Sequence, residues 1–147
     1  MNKDVMVTVS GFQINEFDEN DNVELMTNGK YSKKKDRGYL RYEEVSVDTG
    51  VTKTVMIFDE HSLEVTRRGG VQLHMTFLEG QKTMTSYNTP FGNLLVGVDT
   101  DRYIYKEDEN SIDIKVKYAL EINHEFIADC ELTTKITPRN TEATRQL

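Results

Sequence analysis

Arg67 is the residue of this 147-residue chain whose type and position most invite chemistry. It stands two places after Val65 in a stretch where apolar and polar side chains alternate, which puts it on the apolar face. A guanidinium at the mouth of an apolar interior offers a donor fork to a carboxylate or a phosphate. The plainer reading weighs more: the side chain reaches out to water, or pairs with an acidic neighbour such as Glu43. A rim position leaves an easy path to solvent, so its nearness to the apolar face costs little. Tyr42, Glu43 and Tyr87 complete the candidate ligand-binding set. With Tyr31, Tyr39, Tyr103 and Tyr105, the two tyrosines could line a pocket, although tyrosine is also an ordinary strand residue.

The other reactive residue types form no constellation. His61 and His124 sit in turn-like stretches and His74 on a polar parity, without the close spacing of a zinc pair. Cys130 falls on the apolar parity between Ala128 and Leu132 and reads as a small hydrophobe rather than a nucleophile. The acidic run Glu16, Asp18, Glu19 and Asp21 lacks the glycine and the distal glutamate of a calcium loop, so it reads as a solvated hairpin loop. Asp99 with Asp101, and Lys106 to Glu109, read the same way. Lys33, Lys34, Lys35 and Arg37 form a short basic run that suits protection of a strand edge. No catalytic residue, metal site or cofactor is assigned, and an enzyme ranks last among the readings.

The formal net charge of −7 argues against a nucleic-acid binder and against anionic membrane surfaces. No apolar run approaches the ~20 residues of a membrane-spanning helix, and the Met1 end has no basic-then-apolar signal pattern. One cysteine permits no intrachain disulfide, which fits a reducing cytoplasm.

The elements that must position Arg67 are strands. Val5, Val7 and Val9 alternate with polar partners, as do Val71, Leu73, Met75 and Phe77. Ile112, Ile114, Val116, Tyr118, Leu120 and Ile122 share one parity, and Phe126, Ala128, Cys130, Leu132 and Ile136 repeat the pattern. Period two predicts half-buried strands. Turn signals at Asp18 to Asp21, Asp36 to Gly38, Asp48 to Gly50, Asp59 to His61, Gly69-Gly70, Glu79-Gly80, Thr89 to Gly92 and Glu107 to Asn110 divide them.

The pattern predicts an all-β chain: roughly eight to ten strands forming a single antiparallel up-and-down barrel or a sandwich, over residues 1–138, with a flexible tail at 139–147. Face matching registers two hairpins. In the last, Ile122 faces Phe126 across the loop Asn123-His124-Glu125, which pairs Leu120 with Ala128, Tyr118 with Cys130, Val116 with Leu132, Lys117 with Glu131 and Asp113 with Lys135. In the other, Arg68-Gly69-Gly70 is the loop, Val65 meets Leu73 and Leu63 meets Met75.

Four stretches carry a family resemblance. They are Val23-Glu24-Leu25-Met26-Thr27-Asn28-Gly29-Lys30-Tyr31 with Gly38-Tyr39-Leu40-Arg41-Tyr42-Glu43-Glu44, then Arg67-Arg68-Gly69, then Met75-Thr76-Phe77-Leu78-Glu79-Gly80, and Tyr87-Asn88-Thr89-Pro90-Phe91-Gly92. In order and spacing the set resembles the YwiB-like family of uncharacterised bacterial proteins, a domain of unknown function. The resemblance implies a calycin-like barrel, lipocalin-like in shape, and brings no activity or catalytic residue with it. Two functions are expected from the barrel. One is binding of a small, partly apolar or anionic ligand in its interior. The alternative is a non-catalytic protein–protein interaction module or homodimeric scaffold.

Overall fold

Apolar side chains on every second residue can all be buried at once only if the strands share one wall and that wall curls around them. The computed structural model describes residues 3–11, 24–48, 50–70, 72–89 and 91–139. Among these lie ten strands and no helix: β1 (Lys3–Ser10), β2 (Glu24–Lys34), β3 (Arg37–Ser46), β4 (Gly50–Phe58), β5 (Ser62–Gly69), β6 (Leu73–Leu78), β7 (Lys82–Thr89), β8 (Gly92–Glu107), β9 (Ile112–Ile122) and β10 (Glu125–Pro138). Among the described residues no helix is long and apolar enough to cross a membrane.

The strands form one antiparallel sheet in the order β6-β5-β4-β3-β2-β1-β10-β9-β8-β7. Chain neighbours pair in every case but β6 and β7, and β1 joins β10, with Val7 opposite Ile136. The sheet therefore has two free edges, β6 and β7, which follow each other in the chain. The short turn Glu79-Gly80-Gln81 brings them together, with the Gln81 N–H donating to the Leu78 carbonyl at 2.9 Å. Among the described residues no backbone ladder joins β6 to β7. The Thr83 hydroxyl donates to the Thr76 carbonyl across the gap at 2.6 Å. The result is a nearly closed barrel with one side-chain seam.

The interior belongs to one parity of each strand, except that β8 changes parity at a bulge between Thr100 and Arg102: Val96, Val98 and Thr100 are buried before it and Tyr103 after it. Val5, Val7, Leu40, Met56, Phe58, Leu63, Met75, Phe77, Ile112 and Ile114 are all fully buried. Across the midsection Phe77 meets Tyr118 edge-on at 5.0 Å between ring centroids. Thr134 of β10 reaches Met56 of β4 with its hydroxyl 4.0 Å from the sulfur. These contacts span the barrel, so its middle is filled by its own side chains.

Both sequence-derived registers need correction near their loops. In the last hairpin the pairs from Leu120–Ala128 down to Asp113–Lys135 stand as expected. The loop is shorter: Ile122 pairs with Glu125, Phe126 faces Glu121, and Ile127 is taken up in a bulge. Asn123 and His124 both have positive φ, 51° and 70°, the two-residue turn whose twist suits a right-handed hairpin. The bulge then restores the expected pairing and leaves Phe126 exposed instead of inside. In the β5–β6 hairpin, Val65 pairs with Met75 and Leu63 with Phe77, a shift of two residues that keeps every face. Strand β5 runs on to Gly69, opposite Thr52 of β4, and the Gly70 N–H donates to the Val51 carbonyl at 3.0 Å. Gly69 has φ 114°, and a Cβ there would lie 2.2 Å from the Val51 oxygen. The other expected turns fall where the charged clusters suggested, although Gly38 belongs to β3 and the turn before it is Lys35-Asp36. The expected turn at Asp18 to Asp21, Thr49 within the turn Asp48 to Gly50, Val71, Pro90 and the tail from residue 140 lie outside the described residues.

Gly38 faces inward, and a Cβ there would meet the Phe58 ring at 2.6 Å and the Tyr31 ring at 3.0 Å. Both rings are buried, so neither has room to retreat. Gly38→Ala is expected to destabilise the protein by about 1–3 kcal/mol through overpacking. Urea unfolding followed by circular dichroism measures this, and an unchanged midpoint would show the packing to be loose.

Candidate functional site

The two ends of the barrel differ in kind. At one end the four turns Lys35-Asp36, Asp59 to His61, Glu79 to Gln81 and Asp108 to Asn110 carry no large apolar residue. Tyr31, Phe58 and Tyr105 pack beneath them, with ring centroids 6.1 Å apart in each successive pair. The Tyr103 hydroxyl donates to the Asp59 and Ser62 carbonyls at 2.7 and 2.9 Å, and the Tyr105 hydroxyl to Glu107 at 2.8 Å. Lys33 reaches Glu107 at 3.6 Å. This end is sealed by rings and stitched by polar contacts.

The opposite end holds the exposed apolar surface. In the β3–β4 hairpin Val45 pairs with Val51, and both stand in solvent beside Val47, which is 103% exposed. Phe91, 98% exposed, tops the β7–β8 hairpin, and Phe126 and Ile127 sit beside the β9–β10 turn. Met26, also exposed, stands near the start of β2. Of the large apolar side chains exposed among the described residues, only Met84 lies elsewhere. Hairpin tips are commonly polar, so an apolar rim gathered from three hairpins is a surface able to take an apolar contact.

Inside this rim the inner parity turns polar. Tyr42 of β3, Thr54 of β4 and Arg67 of β5 lie side by side across the sheet, with Leu73 of β6 next in the row. One step toward the rim stand Glu44 and the buried Thr52. The Arg67 side chain is only 13% exposed, and its guanidinium bonds the Glu44 carboxylate. Burial raises the Tyr42 phenol to about 12, with the Arg67 cation opposing and the Glu44 carboxylate adding to the shift. Beside it the fully buried Thr54 hydroxyl makes no well-formed hydrogen bond among the described residues. The cluster thus combines a cation, a carboxylate, a phenol and an unsatisfied hydroxyl at the mouth of an apolar barrel. Such a set can accept a polar head group while the rim takes an apolar body.

The candidate residues divide accordingly. Arg67 and Tyr42 come together on the inner face. Tyr87 is half-buried on the inner parity of β7, packed against the core. Glu43 is exposed on the outer face opposite Lys53, and Arg67's acidic partner is its neighbour Glu44. The reason is parity: Glu44 shares its face with Tyr42, and Glu43 does not. That signal was available in the sequence, as it was for Thr52 and Thr54. His74 lies on the outer face, 2.9 Å from the Thr66 hydroxyl and 3.8 Å from Glu64, while His61 and His124 occupy exposed turns. Cys130 is half-buried on the inner parity opposite Tyr118. Among the described residues no three His, Cys, Asp or Glu side chains converge as a metal site would require.

The family model described as Domain of unknown function (DUF1934) matches residues 7–134. The chain is similar to the uncharacterised β-barrel protein YwiB of Bacillus subtilis (strain 168), at 29% identity over 126 residues, covering 85% of this chain and 88% of that one. The crystal structure of the ywiB protein from Bacillus subtilis matches with a TM-score of 0.70 and 25% identity, covering 93% of this chain and 89% of that one.

Burial also raises Tyr31, Tyr103, Tyr105 and Tyr118 above the ordinary phenol value. A phenol whose folded value is raised stabilises the fold fully below about pH 10, and that contribution is lost as pH climbs through the folded value. For Tyr42, shifted from 10.0 to about 12, the loss is roughly 2–3 kcal/mol. Stability is therefore expected to fall steeply above pH 10. Tyrosinate absorbance should rise together with loss of the β signal in circular dichroism. Full tyrosine ionisation in a protein still folded would contradict these burials.

Proposed function

Because this chain belongs to the DUF1934 family, whose description gives a domain but no activity, the site must supply the function, and we propose a binding protein for a small, partly apolar anion. The ligand docks at the Arg67 end of the barrel. Its charged head meets Arg67 and the Tyr42–Thr54 pair, and its apolar body lies among the rim side chains Val47, Phe91 and Phe126. The observation that carries this reading is the coincidence, at one end only, of an exposed apolar rim and a buried polar cluster.

The filled midsection makes this a shallow mouth site rather than a deep lipocalin-like cavity. Access is helped by the seam. Arg67 and Leu73 line a surface recess together with Ser86 and Asn88 of β7, where β6 and β7 meet without a ladder. Strands held there by a short turn and side-chain contacts separate at lower cost than a laddered pair. The single cysteine and the acidic net charge support a cytoplasmic setting and argue against nucleic acid as the ligand.

A second reading rests on the same rim: contact between two copies of the chain, or with another protein, through Val45, Val47 and Val51. Light scattering decides this reading, since it requires a dimer or a bound partner.

Dodecanoate and octanoate are suitable probes for the mouth. A ligand at one hundred times its dissociation constant stabilises by about 2.7 kcal/mol, which raises the melting temperature by several degrees. Arg67→Met is expected to abolish the shift. Val47→Ser with Phe126→Ser, both exposed and outside the core, is expected to weaken it while leaving the free protein folded. No shift with either probe in the unmodified protein would overturn the proposal.

A further inference from the structure

The outer face of the barrel carries a charge distribution that the rest of the chain opposes. A groove of about 890 Å³ crosses the outside of β2 to β5. It is lined by five cations, Lys30, Arg41, Lys53, Arg68 and Arg139, and by two carboxylates, Asp4 and Glu43. The local balance is strongly positive on a chain whose net charge is −7. Two pairs of cations stand directly opposite each other on neighbouring strands: Lys30 with Arg41, and Lys53 with Arg68. Like charges so placed destabilise a sheet.

Lys30 is relieved by Asp4, 2.5 Å away. Arg41, Lys53 and Arg68 are exposed, and among the described residues no carboxylate lies within ion-pair distance of them. Glu43 is the cross-strand neighbour of Lys53 without closing on it. Between the cations the floor is apolar: Val55 lies opposite Arg41, and half-buried Ile57 follows on the same strand.

We infer that this groove binds a phosphorylated small molecule, with its phosphate between Lys53 and Arg68, Arg41 reaching it from the neighbouring strand, and its organic part on Val55 and Ile57. A phosphate monoester near neutral pH carries close to two charges, enough to neutralise one facing pair of cations, whereas a carboxylate carries one. Guanidinium forks also match phosphate oxygens two at a time. Neighbouring strands lie ~4.8 Å apart, so Lys53 and Arg68 reach a single phosphate group from both sides. A long polyanion is disfavoured, since most of it would lie over a chain whose net charge is negative like its own. The site is separate from the Arg67 mouth: Arg67 points inward and Arg68 outward from adjacent positions.

Phenyl phosphate and inorganic phosphate are the probes, read by isothermal titration at low and moderate salt. Phenyl phosphate should bind more tightly than inorganic phosphate, and its affinity should fall as salt rises. Lys53→Glu and Arg68→Glu should each weaken it at least about tenfold. The melting temperature of free Arg68→Glu should stay level or rise, because its like pair with Lys53 becomes an opposite pair, whereas Lys53→Glu gains a pair with Arg68 but faces Glu43 on its other side. That combination separates a binding role from a structural one. Arg67→Met should bind phenyl phosphate as the unmodified protein does, so the two sites succeed or fail independently. Lys115→Glu, on the distant outer face of β9, should leave affinity unchanged. No binding of phenyl phosphate at millimolar concentration, an equal loss in Lys115→Glu, or binding of an acidic peptide in its place would overturn the assignment.

Discussion

Everything in this molecule depends on closing a ten-stranded sheet around one parity of its side chains. Each strand offers most of its apolar residues to the same side, and burial of that side is worth about 25 cal/mol for every Å² removed from water. Nine ladders hold the strands in register, and a one-residue slip in any of them would turn an entire row outward. The tenth contact, between β6 and β7, has no ladder and is held by a short turn and by side chains. The barrel is thus strongest around β8, β9 and β10, where long strands pair over most of their length, and weakest at the seam.

The two ends of the barrel also differ. The end sealed by Tyr31, Phe58 and Tyr105 is polar outside and aromatic inside, as a cap that meets only water should be. The other end reverses this order, with apolar residues outside and polar ones within. Neither the exposed Val47 nor the buried, unsatisfied Thr54 hydroxyl stabilises the free protein. Each is a local departure from the rules that built the rest, and the proposed ligand site draws on both. The seam beside Arg67 places the most easily opened part of the wall next to the most polar part of the interior.

Much of this was legible in the sequence. The alternation from Ile112 to Ile122 fixed a strand, a face and, through matching with Ala128 to Leu132, a register that the structure bears out. The same reasoning placed Arg67 on the inner face. What escaped it was governed by backbone geometry rather than hydropathy. Two consecutive positive-φ residues at Asn123 and His124, with a bulge at Ile127, are not implied by side-chain type. The extension of β5 to Gly69 depends on its partner β4, a non-local pairing that sets the length of the next loop. Parity applied strictly would have found Glu44 in place of Glu43. The outer groove was beyond reach, because seeing Lys53 beside Arg68 requires the register of β4 on β5.

The side-chain seam is the claim that ties the fold to the proposed function, and native-state hydrogen exchange resolved by residue tests it most directly. In the free protein, the amides of β6 and β7 that face each other should exchange by local opening, well before those of β9, which should exchange only on global unfolding. Protection along β6 and β7 equal to that of β9 would mean a fully laddered barrel and would contradict the account.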